Sequence, residues 1–76
     1  MLAISIASMD IENIFSYHSP TGDQPQRYEA IRSAAKVLAQ AIVDNTPASA
    51  DQTAAIRKVR EAVMTANAGI ALDGKL

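Results

Sequence analysis

The sequence has no cysteine and no tryptophan, and only one histidine, one phenylalanine and two tyrosines. Without cysteine there is no disulfide and no thiolate metal site. One histidine cannot build a histidine-rich metal centre, so no metal and no cofactor is expected. Three glycines in unrelated contexts, at positions 22, 69 and 74, make no phosphate-cradling loop. No apolar run is long enough for a membrane span, and the opening "MLAISIASMD" lacks the basic leader and length of a signal peptide. A cytoplasmic protein with no membrane partner is expected. Charge of either sign is also scarce in excess. Seven basic and eight acidic side chains leave a net charge of −1. DNA and RNA polymers are held by a basic surplus, which is missing. A small anionic ligand needs only a few placed cations and stays open.

What is present is helix. Seventy-six residues allow one domain, expected over residues 1–76. Residues 1–9 read as a short strand, a tail or an oligomer contact. Ile11, Ile14 and Phe15 follow at helical spacing behind Asp10, a helix cap, predicting one or two turns that end near Tyr17. "HSPTG" breaks the chain: Pro20 holds Ser19 extended and Gly22 permits a turn. Asp23 then starts a long helix, with Pro25 in its first turn and Gln26 placed to complete a capping box. Tyr28, Ile31, Ala35, Leu38 and Ile42 form its apolar stripe. It should end near Asp44 or Asn45. Ser49 with Gln52 starts a second helix, with Asp51 favourable at its positive end. Its stripe is Ile56, Val59, Val63, Ala66 and Ile70. It should stop near Leu72, with Gly74 suited to the closing turn, and Arg57 and Glu61 placed to pair within it.

The expected fold is therefore all-α: a short N-terminal helix plus an antiparallel two-helix hairpin. A core this small yields only about 3–5 kcal/mol. The hairpin's outer faces are not fully polar: Ala54, Ala55, Ala62, Met64 and Ala68 extend the apolar surface around the second long helix. Self-association into a homo-oligomer is the expected remedy. The competing arrangement covers the hairpin with residues 1–15.

Few residues here carry chemistry. His18 is the only imidazole, and Ser16 and Ser19 beside it in sequence do not supply catalytic geometry. No enzyme is expected. Tyr17 either packs over the hairpin, with His18 bonding a backbone group, or offers a flat face to a nucleobase. Arg32 and Lys36, one helical turn apart, are either a solvated face relieved by Glu29 or a phosphate site. Arg57, Lys58 and Arg60 form a more divided basic cluster.

The order of short motifs discriminates further. Ile11-Glu12-Asn13 precedes Phe15, Tyr17-His18 is followed by Pro20, Glu29-Ala30-Ile31-Arg32 lies on the first long helix, and Met64 and Ala66-Asn67-Ala68 near the end of the second. Across residues 11–71 this pattern resembles the helical-hairpin family of phage anti-CBASS proteins, cyclic-oligonucleotide sponges whose hairpin also occurs in some anti-Thoeris proteins. The resemblance implies a non-enzymatic protein in the cytoplasm of an infected bacterial host. It implies a homo-oligomer, typically a hexamer, that holds cyclic dinucleotides between protomers. It implies Tyr17 as the stacking residue and Arg32 as the phosphate partner; His18 and Lys36 join them as candidate ligand-binding residues by their proximity in sequence. Thr65 stands where the family often has an aromatic, and Leu72 and Asp73 where it often has a base. Those departures fall on the family's cyclic-trinucleotide pocket, so dinucleotides are the first expectation. The alternative is a small helical oligomer that binds another protein and no nucleotide.

Overall fold

The computed structural model describes residues 10–73. Among them all regular structure is helical: α1 over Ile11–Ile14, α2 over Gln24–Asn45 and α3 over Ala50–Ala71. The last two pack antiparallel as the expected hairpin, and α1 packs on neither. Residues 1–9 and Gly74 lie outside the described residues.

α1 is a single turn, shorter than its apolar spacing suggested. The Asp10 carboxylate caps it by accepting from the Asn13 amide at 3.1 Å. Side chains then take the carbonyls that a longer helix would use. The Ser16 hydroxyl donates to the Glu12 carbonyl. His18 Nε2 donates to the Asn13 carbonyl at 2.6 Å. Such local side-chain bonds compete with helix propagation.

α2 starts where expected, but without the expected cap. Asp23 sits at φ −91° and ψ 5°, and its side chain caps no amide. Its carboxylate lies 3.5 Å from Arg27 Nη1 instead. Gln26 therefore has no capping box to complete; Gln24, one residue past Asp23, takes the structural role. Gln24 Oε1 accepts from the Thr21 amide at 3.0 Å, and its Nε2 donates to the Ile70 carbonyl, also at 3.0 Å. One amide thus ties the incoming loop, the start of α2 and the end of α3.

Pro47 ends α2, since the residue before a proline is pushed to extended backbone; Thr46 is at φ −128° and ψ 149°. The terminal carbonyls would be orphaned. Asn45 Nδ2 covers that of Ala41, and the Thr46 hydroxyl that of Ile42. Ser49 caps α3 by accepting from the Gln52 amide at 3.1 Å. The reciprocal half of the capping box is replaced: Gln52 Nε2 reaches back to the carbonyls of Thr46 and Val43. α3 closes through the Leu72 amide on the Ala68 carbonyl, and the left-handed residue is Asp73, at φ 53°.

The core is thin. Ile70, 7% exposed, is the one buried apolar residue among those described. The stripe residues Tyr28, Ile31, Ile42, Val59 and Val63 are half-buried, and Leu38 remains 53% exposed. Two helices bury one stripe each, and among the described residues no third element packs above it. Along one side runs an apolar cleft of about 270 Å³, lined by Ile31, Ala34 and Leu38 of α2 and Val59, Ala62 and Val63 of α3. Ile11 and Phe15 stand 63% and 83% exposed, so residues 10–15 do not cover the hairpin.

Candidate functional site

The open end of the hairpin holds the chemistry. A hollow of about 550 Å³ lies between the loop leaving α1, the start of α2 and the end of α3. Tyr17, His18, Gln24, Arg27 and Asp73 are among the residues that line it. Local bonds form this arrangement. The His18 bond to Asn13 folds the loop back on α1. Gly22, at φ 55°, turns the chain toward α2 in a backbone region costly for other residues. Gln24 then fixes the turn to α3.

Tyr17 projects from this loop with 85% of its surface exposed. It does not pack over the hairpin; its ring is free to stack. His18 is half-buried, and its engaged nitrogen must carry a proton, because a carbonyl only accepts. That bond fits a loop strut, and neither Ser16 nor Ser19 is hydrogen-bonded to the ring among the described residues. No three His, Cys, Asp or Glu side chains among the described residues group to hold a metal ion.

Arg32 and Lys36 do not line this hollow. They lie exposed on α2. Arg32 Nη1 donates to Glu29 Oε1, and the other Glu29 oxygen accepts from Ser33 at 3.1 Å. Lys36 has no ion-pair partner among the described residues. The guanidinium in the Tyr17 hollow is that of Arg27, a residue the sequence did not single out. Its one signal was the spacing Asp23–Arg27, which reads equally as an ordinary helix pair. Arg57 and Glu61 form no ion pair; with Arg60 and Met64 they line a separate shallow hollow on the outer face of α3. Asn67 Oδ1 is buried with no hydrogen-bond partner among the described residues.

The described residues thus form a single helical hairpin with an exposed aromatic on a braced loop. Residues 8–71 match the family model described as Acb2/Tad1, hairpin domain. The chain belongs to this family, that of the anti-CBASS and anti-Thoeris sponges of phages. No curated protein and no solved structure shows significant similarity to it. Among the described residues no helix is long and apolar enough to cross a membrane.

Proposed function

We propose that the protein sequesters cyclic oligonucleotide messengers of bacterial anti-phage defence, cyclic dinucleotides foremost, and releases them chemically unchanged. The observation that carries this reading is Tyr17. In a family of ligand-sequestering sponges, an 85% exposed aromatic on a braced loop has no structural task. Stacking a base on such a ring is worth about 1–3 kcal/mol.

The binding unit is a homo-oligomer, a hexamer by family analogy. Its apolar cleft and thin core supply the reason to associate. Arg32 lies outside its own protomer's Tyr17 hollow, so the proposed pocket takes Tyr17 from one copy and Arg32 from the next. A two-fold interface presents two of each, matching the two bases and two phosphates of a cyclic dinucleotide. Phosphate replaces Glu29 as the partner of Arg32 in a charge-assisted, forked contact. Lys36 adds a point charge one turn on, and His18 holds the loop. Slow release suffices for sequestration; no bond is made or broken.

Titration calorimetry against a panel of cyclic di- and trinucleotides, with native mass spectrometry to count protomers and ligands, tests this. Tyr17→Ala and Arg32→Ala should each weaken cyclic-dinucleotide binding by about tenfold or more, with helicity and oligomer mass unchanged. A silent panel overturns the proposal and favours a protein-binding oligomer. Turnover of ligand that disappears in His18→Ala overturns the non-enzymatic part.

A further inference from the structure

The hollow contains a group that phosphate binding does not need. Asp73 lines it together with Tyr17. Its amide donates to the Ile70 carbonyl at 3.1 Å, and the same carbonyl accepts from Gln24. The left-handed turn at the end of α3 is thus tied to the start of α2, beside the Tyr17 loop. Aspartate is among the few residues that adopt this backbone at modest cost.

Three of the polar side chains that share the hollow with Asp73 are already engaged. Asp23 faces Arg27 at 3.5 Å. His18 Nε2 is on the Asn13 carbonyl, and the Gln24 amide is used at both ends. The Asp73 carboxylate has no side-chain hydrogen bond or ion pair among the described residues. An ionised carboxylate only accepts, through two oxygens side by side. It repels a phosphate. It suits a partner with two adjacent N–H donors.

We propose that Asp73 reads the Watson–Crick edge of a base stacked on Tyr17 and makes the site selective for guanine. This rests on the sequestration reading above. Guanine presents N1–H and the N2 amino group next to each other, which two carboxylate oxygens can accept together. Adenine offers one amino group beside N1, an acceptor whose lone pair faces the carboxylate. Cytosine has the same donor–acceptor clash, and uracil sets one N–H between two carbonyls. Splayed bases are recognised in this way, stacked on an aromatic and bonded along the edge. A site built to pair both donors rejects the base that lacks one. The arrangement also separates the two halves of the ligand: the base enters the hollow beside Asp73, where Arg27 is paired with Asp23, and the phosphate turns toward Arg32 and Lys36, which lie outside it.

Calorimetry with cyclic di-GMP and cyclic di-AMP on the full chain decides the matter. The wild type should bind cyclic di-GMP about tenfold or more tightly than cyclic di-AMP, the scale of one two-point edge contact. Asp73→Asn should lose most of that preference by weakening cyclic di-GMP, with cyclic di-AMP unchanged or tightened, since the asparagine amide can donate to adenine N1 and accept from its amino group. Asparagine tolerates the left-handed backbone, so helicity and oligomer mass should hold. Tyr17→Ala should weaken both ligands alike. Equal binding of the two ligands by the wild type, or an undiminished preference in Asp73→Asn, overturns guanine selection and leaves sequestration standing. Binding of neither ligand, in a panel silent throughout, overturns both.

Discussion

The two ends of the hairpin solve the same problem differently. At each end a glutamine in the first turn of one helix reaches the last carbonyls of the other: Gln52 to Val43 and Thr46 at the turn, Gln24 to Ile70 at the open end. At the turn, every partner is close in sequence, and the bonds do nothing but reverse the chain. At the open end, one bond spans most of the chain and places Tyr17, Arg27 and Asp73 around one hollow. The turn serves the fold, and the open end puts the same device to use in building a site.

The sharpest way to break the comparison is to empty Ile70, the one buried position at the open end among the described residues. Ile70→Ala should destabilise by about 2–5 kcal/mol. Val43→Ala, at a half-exposed site near the turn, should cost about 1 kcal/mol or less. Urea denaturation at one fixed protein concentration compares them. Equal losses would mean that the core does not concentrate at the open end.

Next in size is the hinge into α2. Gly22 has open space where a Cβ would go, so only its backbone, at φ 55°, opposes a side chain. Gly22→Ala should cost about 1–2 kcal/mol, and Gly22→Asn distinctly less. A thermal melt that ranks the two alike would show that the left-handed turn is not needed.

The helix starts differ too. Ser49 caps with its side chain and Asp23 does not. Ser49→Ala should therefore cost about 1 kcal/mol. Asp23→Ala, which removes only an exposed pair with Arg27, should cost a few tenths. From sequence the two starts looked equivalent, since both offer a cap residue followed three places on by glutamine. Both helices, their boundaries and their inward stripes were legible, because period and punctuation are local signals. The pairing of ends was not. Which residue Gln24 meets depends on how two helices align over their whole length, and nothing near Gln24 in sequence encodes Ile70. For the same reason Arg27 was not singled out, although folding brings it to the Tyr17 hollow. Periodicity did not decide the packing of α1: Ile11 and Phe15 are spaced for burial, yet α1 meets neither long helix.

The smallest stability effect should come from the residue with the largest proposed role. Tyr17 is the aromatic that a chain poor in aromatics should least be able to leave outside its core. Its ring is 85% exposed, and among the described residues its side chain makes no hydrogen bond that holds the loop; His18 and Gln24 supply those. Tyr17→Ala should therefore change the unfolding free energy by no more than about 0.5 kcal/mol. Gln24→Ala, which strands the Thr21 amide and removes one donor to the Ile70 carbonyl, should cost about 1 kcal/mol, as one lost hydrogen-bonded side chain does. If Tyr17→Ala proved the more damaging in the ligand-free protein, Tyr17 would be an anchor of the assembly. The open end would then resemble the turn after all, a device for holding helices together.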